Sequence, residues 1–283
     1  MQFKHLGNTE MTTSRPIFFD THAHLDYPEF VPDFAEVLAR AATTGITKLV
    51  SIGTSLESSR RAIRLAEKFG QIYAVAGWHP SDVLTAPADV RPALRELAMH
   101  RKVVALGETG LDYYRLPSSQ GGSAMDDAHY KVRQAEMFRQ HLDVAAEFGL
   151  NCVIHQRSAF DDTLALLKPY TGKVRGVFHC FGESVERLNQ VLAIGSLVGY
   201  TGIVTFKNGQ NIRDVVAATP MNQFMLETDC PYLAPVPYRG KRCEPSFVKE
   251  ISEMVAQTRK CSLAELSEAT CKTAREFFHK LED

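Results

Sequence analysis

The chain has 283 residues, 45% of them hydrophobic, with Lys+Arg 32 against Asp+Glu 33 and a formal net charge of −1. That length fits one large barrel or two medium domains, and the apolar content supplies a sizeable core. The balanced charge excludes a global basic field that recruits nucleic acid, so any polyanion site is local. No apolar run is long enough to span a bilayer.

The first 15 residues, MQFKHLGNTEMTTSR, read as a flexible polar tail without the apolar centre of a secretory signal. A single domain is expected over 16–283. The six cysteines (Cys152, Cys180, Cys230, Cys243, Cys261 and Cys271) include no C-x-x-C pair and are too sparse for a disulfide scaffold. They point to a reduced, cytoplasmic protein, and none is assigned as a metal ligand.

Strand-like runs alternate with helical patterns along the whole chain. The strands are expected at PIFFD (16–20), TKLVSIG (47–53), IYAVAG (72–77), KVVALGE (102–108), NCVIH (151–155), VRGVFH (174–179), GSLVGY (195–200) and QFMLETD (223–229). Several are continuous apolar runs, the pattern of parallel strands buried on both faces. Helical segments separate them, from 31–45 through 209–220, many closed by a glycine, and two more follow within 245–258 and 262–281. Eight such units without a linker predict an α/β fold: a single (β/α)8 TIM barrel with an additional C-terminal helix. A doubly wound open sheet would call for a Gly-rich phosphate fingerprint near the start, and none is present. The one irregular insertion is RLPSSQGGSAMDDAH, 115–129.

Chemistry-bearing residues gather at the strand ends, which form the working face of such a barrel. Strand one ends in FFDTHAHLD, carrying Asp20, His22 and His24. Residues i and i+2 of an extended chain project to one face, so the two imidazoles lie side by side, as metal ligands do. GWHP contributes His79, GETGLDYYR contributes Glu108, and strands five, six and eight end at His155, His179 and Asp229. Taken singly, Glu108 reads as a cap, His155 as a packed core histidine and Asp229 as a turn residue. Together they predict a ring of imidazoles and carboxylates at one barrel mouth, costly to bury without a metal. Six candidate ligands exceed what one zinc takes and suit two ions with a carboxylate between them, for which Glu108 is the natural bridge.

In this order DTHAHLD, GWHP, GETGLDYYR, VIHQRSAFDDTL, FHCFGES and LETDCPYLAPVPYRGKRCEP resemble the TatD family of metal-dependent nucleases, over residues from about 17 to about 280. The resemblance implies one ion held by His22, His24 and Asp229, a second held by His155 and His179, and Glu108 bridging both. It also implies magnesium-dependent DNase activity, 3′→5′ on single strands. The imidazole-rich ligand set favours zinc or manganese over magnesium on softness, so the identity of the two divalent ions (Mg, Mn or Zn) stays open. Where the family has His, Asn and Gln, this chain has Tyr238, Cys243 and His141, and its 116–128 loop is longer.

The expected activity is hydrolysis of nucleic-acid phosphodiesters, single-stranded DNA first among substrates, by a monomer without an obligate protein partner or membrane attachment. Glu108 and Asp229 are the catalytic pair, Asp229 serving also as general base. Arg115, Arg157, Lys207, Arg239, Lys241 and Arg242 are expected to form a basic rim, with Tyr113, Tyr114, Trp78 and Phe181 available for stacking on bases. His79, Tyr113, Arg115, Arg157, Arg239 and Lys241 are assigned to substrate. The alternative is a two-metal hydrolase of amide, lactone or carboxyl ester bonds, because fold and metal do not fix the substrate.

Overall fold

The computed structural model describes residues 15–281; apart from Arg15, the expected N-terminal tail lies outside them. All eight expected strands form: β1 Phe18–Ala23, β2 Ile46–Ile52, β3 Ile72–Ala76, β4 Val103–Asp112, β5 Cys152–Arg157, β6 Gly176–Phe178, β7 Leu197–Tyr200 and β8 Phe224–Leu226. They pair in parallel in sequence order, β1 to β8. The ring is closed by a parallel bridge between Ala23 and Cys230 and by two backbone hydrogen bonds, Asp229 N–H to His22 O and His24 N–H to Cys230 O, both 2.8 Å. The TIM barrel read from the sequence is the fold observed.

The helices alternate with the strands as α1 Phe34–Thr43, α2 Leu56–Lys68, α3 Arg91–Ala98, α4 Ala124–Phe148, α5 Phe160–Leu167, α6 Val185–Ala193 and α7 Gln210–Ala218, followed by α8 Val248–Arg259 and α9 Leu263–Phe277. Their starts follow capping chemistry. Ser55 and Ser184 cap α2 and α6, and Ser123 and Ser262 form capping boxes with Asp126 and Glu265 at α4 and α9. The first helix begins later than its apolar pattern suggests, because Pro32 sits in a 3₁₀ turn over Pro28–Asp33. Strand four runs four residues beyond Glu108 to Asp112, which matters for the site.

Strand alternation splits the core in two. Phe18, Leu49, Ile72, Val103, Cys152 and Phe224 face the helices, while Phe19, Val50, Tyr73, Val104, Val153, Val177, Leu197 and Met225 form a second cluster in the lumen. Helix α9 completes that inner cluster with Cys271, Ala274, Phe277 and Phe278. It seals the end where the strands begin: Asn151, just before β5, donates from Nδ2 to Phe277 O at 2.7 Å. The opposite end is left open for chemistry.

Phe277 is fully buried in this plug. Phe277→Ala is expected to cost about 3–5 kcal/mol of folding stability through lost burial and a residual cavity. Denaturant unfolding checks this; a loss below about 1 kcal/mol would show that α9 merely rests on the barrel.

Candidate metal centre and active site

Loops after the strands carry the polar groups, and the local sequence explains how they reach one point. Strand β4 passes very close to β5. A Cβ on Gly107 would lie 2.4 Å from Val153 O, and one on Gly110 would lie 2.0 Å from His155 O. Only glycine allows that approach at the observed positive φ values. Glu108, held between these glycines, points into the mouth and is 3% exposed.

Its two oxygens face different imidazoles. Oε2 lies 3.5 Å from His22 Nε2 and 3.7 Å from His24 Nε2. Oε1 lies 2.9 Å from His155 Nδ1, 2.8 Å from His179 Nε2 and 3.6 Å from His79 Nε2. Asp229 Oδ1 completes the first group at 3.6 Å from His22 Nε2 and 3.3 Å from His24 Nε2. All six residues read from the sequence as metal ligands thus converge, together with His79.

The donor set fits divalent cations. Ligands about 2.0–2.2 Å from a tetrahedral ion stand roughly 3.3–3.6 Å apart, close to the 3.3–3.7 Å that separates the His22 and His24 Nε2 atoms from Asp229 Oδ1 and Glu108 Oε2. The second group is tighter, with His155 Nδ1 to His179 Nε2 at 3.1 Å. Several of these atoms are buried without a hydrogen-bond partner among the described residues: both His22 nitrogens, Glu108 Oε2 and His179 Nδ1. Unpaired buried groups of this kind are expensive in a site with no ligating role.

The protein alone divides protons unevenly here. Burial pulls the His22 ring down to about 4 and the His79 ring to about 3. At His24 burial is outweighed by the hydrogen bond to Asp229 and by the charge of Glu108, lifting the ring to about 9. At His155 burial is likewise outweighed, by hydrogen bonds to Asp112 and Glu108, and the ring again rises to about 9. Against burial, the imidazoles of His179, His79 and His22 keep Glu108 well below the usual carboxylate range, and His24 does the same for Asp229. Two further buried carboxyls behave oppositely. Burial raises Asp20 to about 7 and raises Glu227 well above its ordinary value.

His79, Glu108 and His155 also lie close enough to share an ion, but the hydrogen bonds argue for a different role for His79. Its Nδ1 accepts from the Ser81 backbone N–H at 3.1 Å. A neutral His79 therefore carries its proton on Nε2 and offers the mouth a donor rather than a lone pair.

The mouth opens into a cavity of ≈ 880 Å³. Arg115 and Arg157 line it, with Tyr27, Phe181 and Tyr232, and the Arg157 guanidinium lies 3.7 Å over the Tyr114 ring. Other expected rim residues sit elsewhere. Tyr113 donates to Asp162 at 3.1 Å. Arg239 donates to Ala234 O at 2.9 Å and stacks on Phe206 at 3.8 Å. Lys241 is exposed beside Tyr238, 5.9 Å from its ring centre. None of these three lines the cavity. Arg242 is tied to Asp33 at 2.7 and 2.8 Å, and Trp78 is 3% exposed with no face for a base. Sequence reasoning passed over Asp112 and Glu227, whose motifs GETGLDYYR and LETD were read only for their more prominent members.

A (β/α)8 barrel with this ring at its C-terminal mouth belongs to the class of metal-dependent hydrolases. The family description TatD related DNase matches residues 19–279, and the chain belongs to the TatD family. It is 35% identical to a Bacillus subtilis protein named as an uncharacterized metal-dependent hydrolase, YabD, over 93% of this chain and 99% of that one. It is 33% identical to the 3′-5′ ssDNA/RNA exonuclease TatD of Enterobacter lignolyticus, over 92% and 98%. Among solved structures, the Escherichia coli TatD homologue YJJV superposes with a TM-score of 0.84 at 28% identity, covering 93% and 98%.

His141, on α4, holds the GWHP loop in place. Its Nε2 accepts from the Trp78 N–H at 3.1 Å, and its Nδ1 donates to Met137 O at 2.8 Å. Burial lowers this ring to about 4 from 6.5. Between those pH values the unfolded chain binds the proton and the folded chain does not, so stability falls as pH drops from 6.5 towards 4. His141→Gln keeps an acceptor for Trp78 and is expected to remove an acid-side loss on the order of 3 kcal/mol. Unfolding curves of both proteins across this range test it; parallel pH profiles would refute it.

Proposed function

We propose that the protein hydrolyses phosphodiester bonds of single-stranded nucleic acid, DNA foremost, with two divalent ions per chain. The carrying observation is the split of the Glu108 oxygens between two imidazole groups. In this reading His22, His24 and Asp229 would hold one ion and His155 and His179 the other, with Glu108 shared between them. Bound there, divalent ions would supply positive charge for the phosphate oxygens and lower the pKa of attacking water.

The chain's own groups do the rest. Asp229, kept ionised at the mouth, takes the proton from the attacking water. His79 donates from Nε2 to a phosphate oxygen, and being neutral it adds no charge to crowd the ions. Arg115 and Arg157 meet the polyanion at the cavity edge, and Tyr114, stacked under Arg157, offers a platform for a base. Tyr113, Arg239 and Lys241 then serve substrate further out along the strand. The exonuclease name of the Enterobacter relative supports this substrate class. No helix among the described residues is long and apolar enough to cross a membrane, and all six cysteines are free thiols. We place the protein in the cytoplasm, acting as a monomer.

Glu108→Gln removes the bridging charge while keeping the shape. It is expected to fold normally by circular dichroism, bind fewer ions, and lose at least ~100-fold in turnover of a single-stranded oligonucleotide. Near-normal turnover would sink the two-ion reading. Arg157→Ala is expected to weaken oligonucleotide binding and to reduce the slope of log affinity against log salt by roughly 0.7. An unchanged slope would leave Arg157 as a partner of Tyr114 alone. Hydrolysis of lactones or amides with no action on oligonucleotides would favour the carboxyl-ester and amide reading instead.

A further inference from the structure

His155 presents two nitrogens to two different worlds. Nδ1 faces the ring, 2.9 Å from Glu108 Oε1 and 3.1 Å from both His179 Nε2 and the His79 Nε2–H that donates to it. Nε2 faces away, 3.1 Å from Asp112 Oδ2. A neutral imidazole has one proton, and the nitrogen that keeps it cannot bind an ion. The competing Nδ1–H tautomer would aim its hydrogen at the Glu108 carboxylate and block the second ligand group. The acceptor behind the ring therefore decides whether His155 is a ligand.

Asp112 is built for that task. Its Oδ1 accepts from the Tyr114 N–H at 2.9 Å, leaving Oδ2 for His155. Its backbone is fixed by Gln134, which is fully buried: Asp112 N–H donates to Gln134 Oε1 at 2.9 Å, and Gln134 Nε2 donates to Asp112 O at 3.2 Å. The side chain is 13% exposed, so water competes little. Strand pairing sets the spacing, since Asp112 aligns with Arg157, two residues past His155, on neighbouring β4 and β5.

We infer that Asp112 is a positioning residue that holds the His155 proton on Nε2 and so fixes Nδ1 as the lone pair offered to the second ion. This rests on the two-ion reading and extends it to a carboxylate–imidazole–ion relay, in which the carboxylate orients the ring and raises its basicity. His179 has no equally close partner: its Nδ1 lies 4.0 Å from Glu227 Oε1. The preference for occupying the second group therefore falls on Asp112.

The test is calorimetric titration of metal-free protein with Zn²⁺, run on wild type, Asp112→Ala and Asp112→Asn after circular dichroism has confirmed folding. Asp112→Ala is expected to weaken one of two Zn²⁺ sites by roughly 10- to 100-fold and leave the other unchanged. Asp112→Asn retains an amide oxygen to accept from Nε2–H and should recover part of the loss. Imidazole ¹⁵N shifts at about pH 10, where the rings are neutral, read the tautomer without any ion. Wild type and Asp112→Asn should hold His155 as Nε2–H, and Asp112→Ala should show a mixture. A loss of the Tyr114 contact alone would not move that signal. Unchanged Zn²⁺ affinities and an unchanged tautomer in folded Asp112→Ala would overturn the inference. A wild type that takes up a single Zn²⁺ would instead overturn the two-ion reading, so the two failures are distinguishable. Should Asp112→Ala not fold, Asp112→Leu, of similar size and without an acceptor, takes its place: a tautomer mixture with weakened binding at one site supports the role, and the wild-type tautomer with full binding refutes it.

Discussion

A carboxylate 3% exposed to solvent stands among five imidazoles, and the mouth of the barrel is arranged around that fact. Glu108 is ionised against a large burial penalty. An isolated buried charge of this kind is untenable without opposite charge or ligation nearby. The compensating groups come from β1, β5 and the segments after β1, β3 and β6, so no local segment can assemble the site. Closing the ring of strands is what brings them within reach. The glycines flanking Glu108 then let β4 sit hard against β5.

The same mouth holds two more carboxyls that take the opposite state. Asp20 accepts from the Thr228 N–H at 2.9 Å and from the His22 N–H at 3.3 Å, lacing β1 to the segment after β8 at the seam of the barrel. Glu227 accepts from the Cys180 N–H at 2.6 Å. Four ionised carboxylates so close would repel strongly. Burial drives Asp20 up to about 7 and raises Glu227 well above its ordinary value, while the imidazoles keep Glu108 and Asp229 charged. The negative charge is thereby concentrated on the two carboxylates that face the ligand groups. Carboxyls pushed apart in this way are the usual sign of separate duties.

The fold was legible because its signal is periodic: eight buried runs, each followed by a helical pattern, leave few alternatives. The convergence of imidazoles and carboxylates was legible because strand ends are fixed points in such a barrel, and His22, His24, His79, Glu108, His155, His179 and Asp229 all sit near one. The reach of β4 was not. The expected strand ends at Glu108, whereas the backbone runs on beside β5 as far as Asp112, with the register shifting by one residue between Leu106 and Thr109. Asp112 therefore fell beyond the expected strand, and its partnership with His155 had no sequence signature. The basic rim was legible only in part, for another reason. Arginine reaches far, so Arg242 turns to Asp33 and Arg239 to Phe206 while Arg115 and Arg157 stay at the cavity.

The positions where this chain departs from its family's pattern lie outside the cavity. Tyr238 stacks on Phe247 with ring centres 4.2 Å apart and planes 4° from parallel. Cys243 is fully buried, its N–H bonded to Pro231 O at 3.0 Å. His141 is consumed by Trp78 and Met137. The longer loop is likewise absorbed into structure: Ser118 bonds Asp127 through both its N–H and its hydroxyl, at 2.8 and 2.7 Å, fastening the loop onto the first turn of α4. These changes act on the supports of the mouth rather than on its lining. They leave the ring of imidazoles and carboxylates untouched and bear on how the surrounding loops are held. The part of the mouth that meets solvent is the cavity edge, where Arg115, Arg157 and Tyr232 stand.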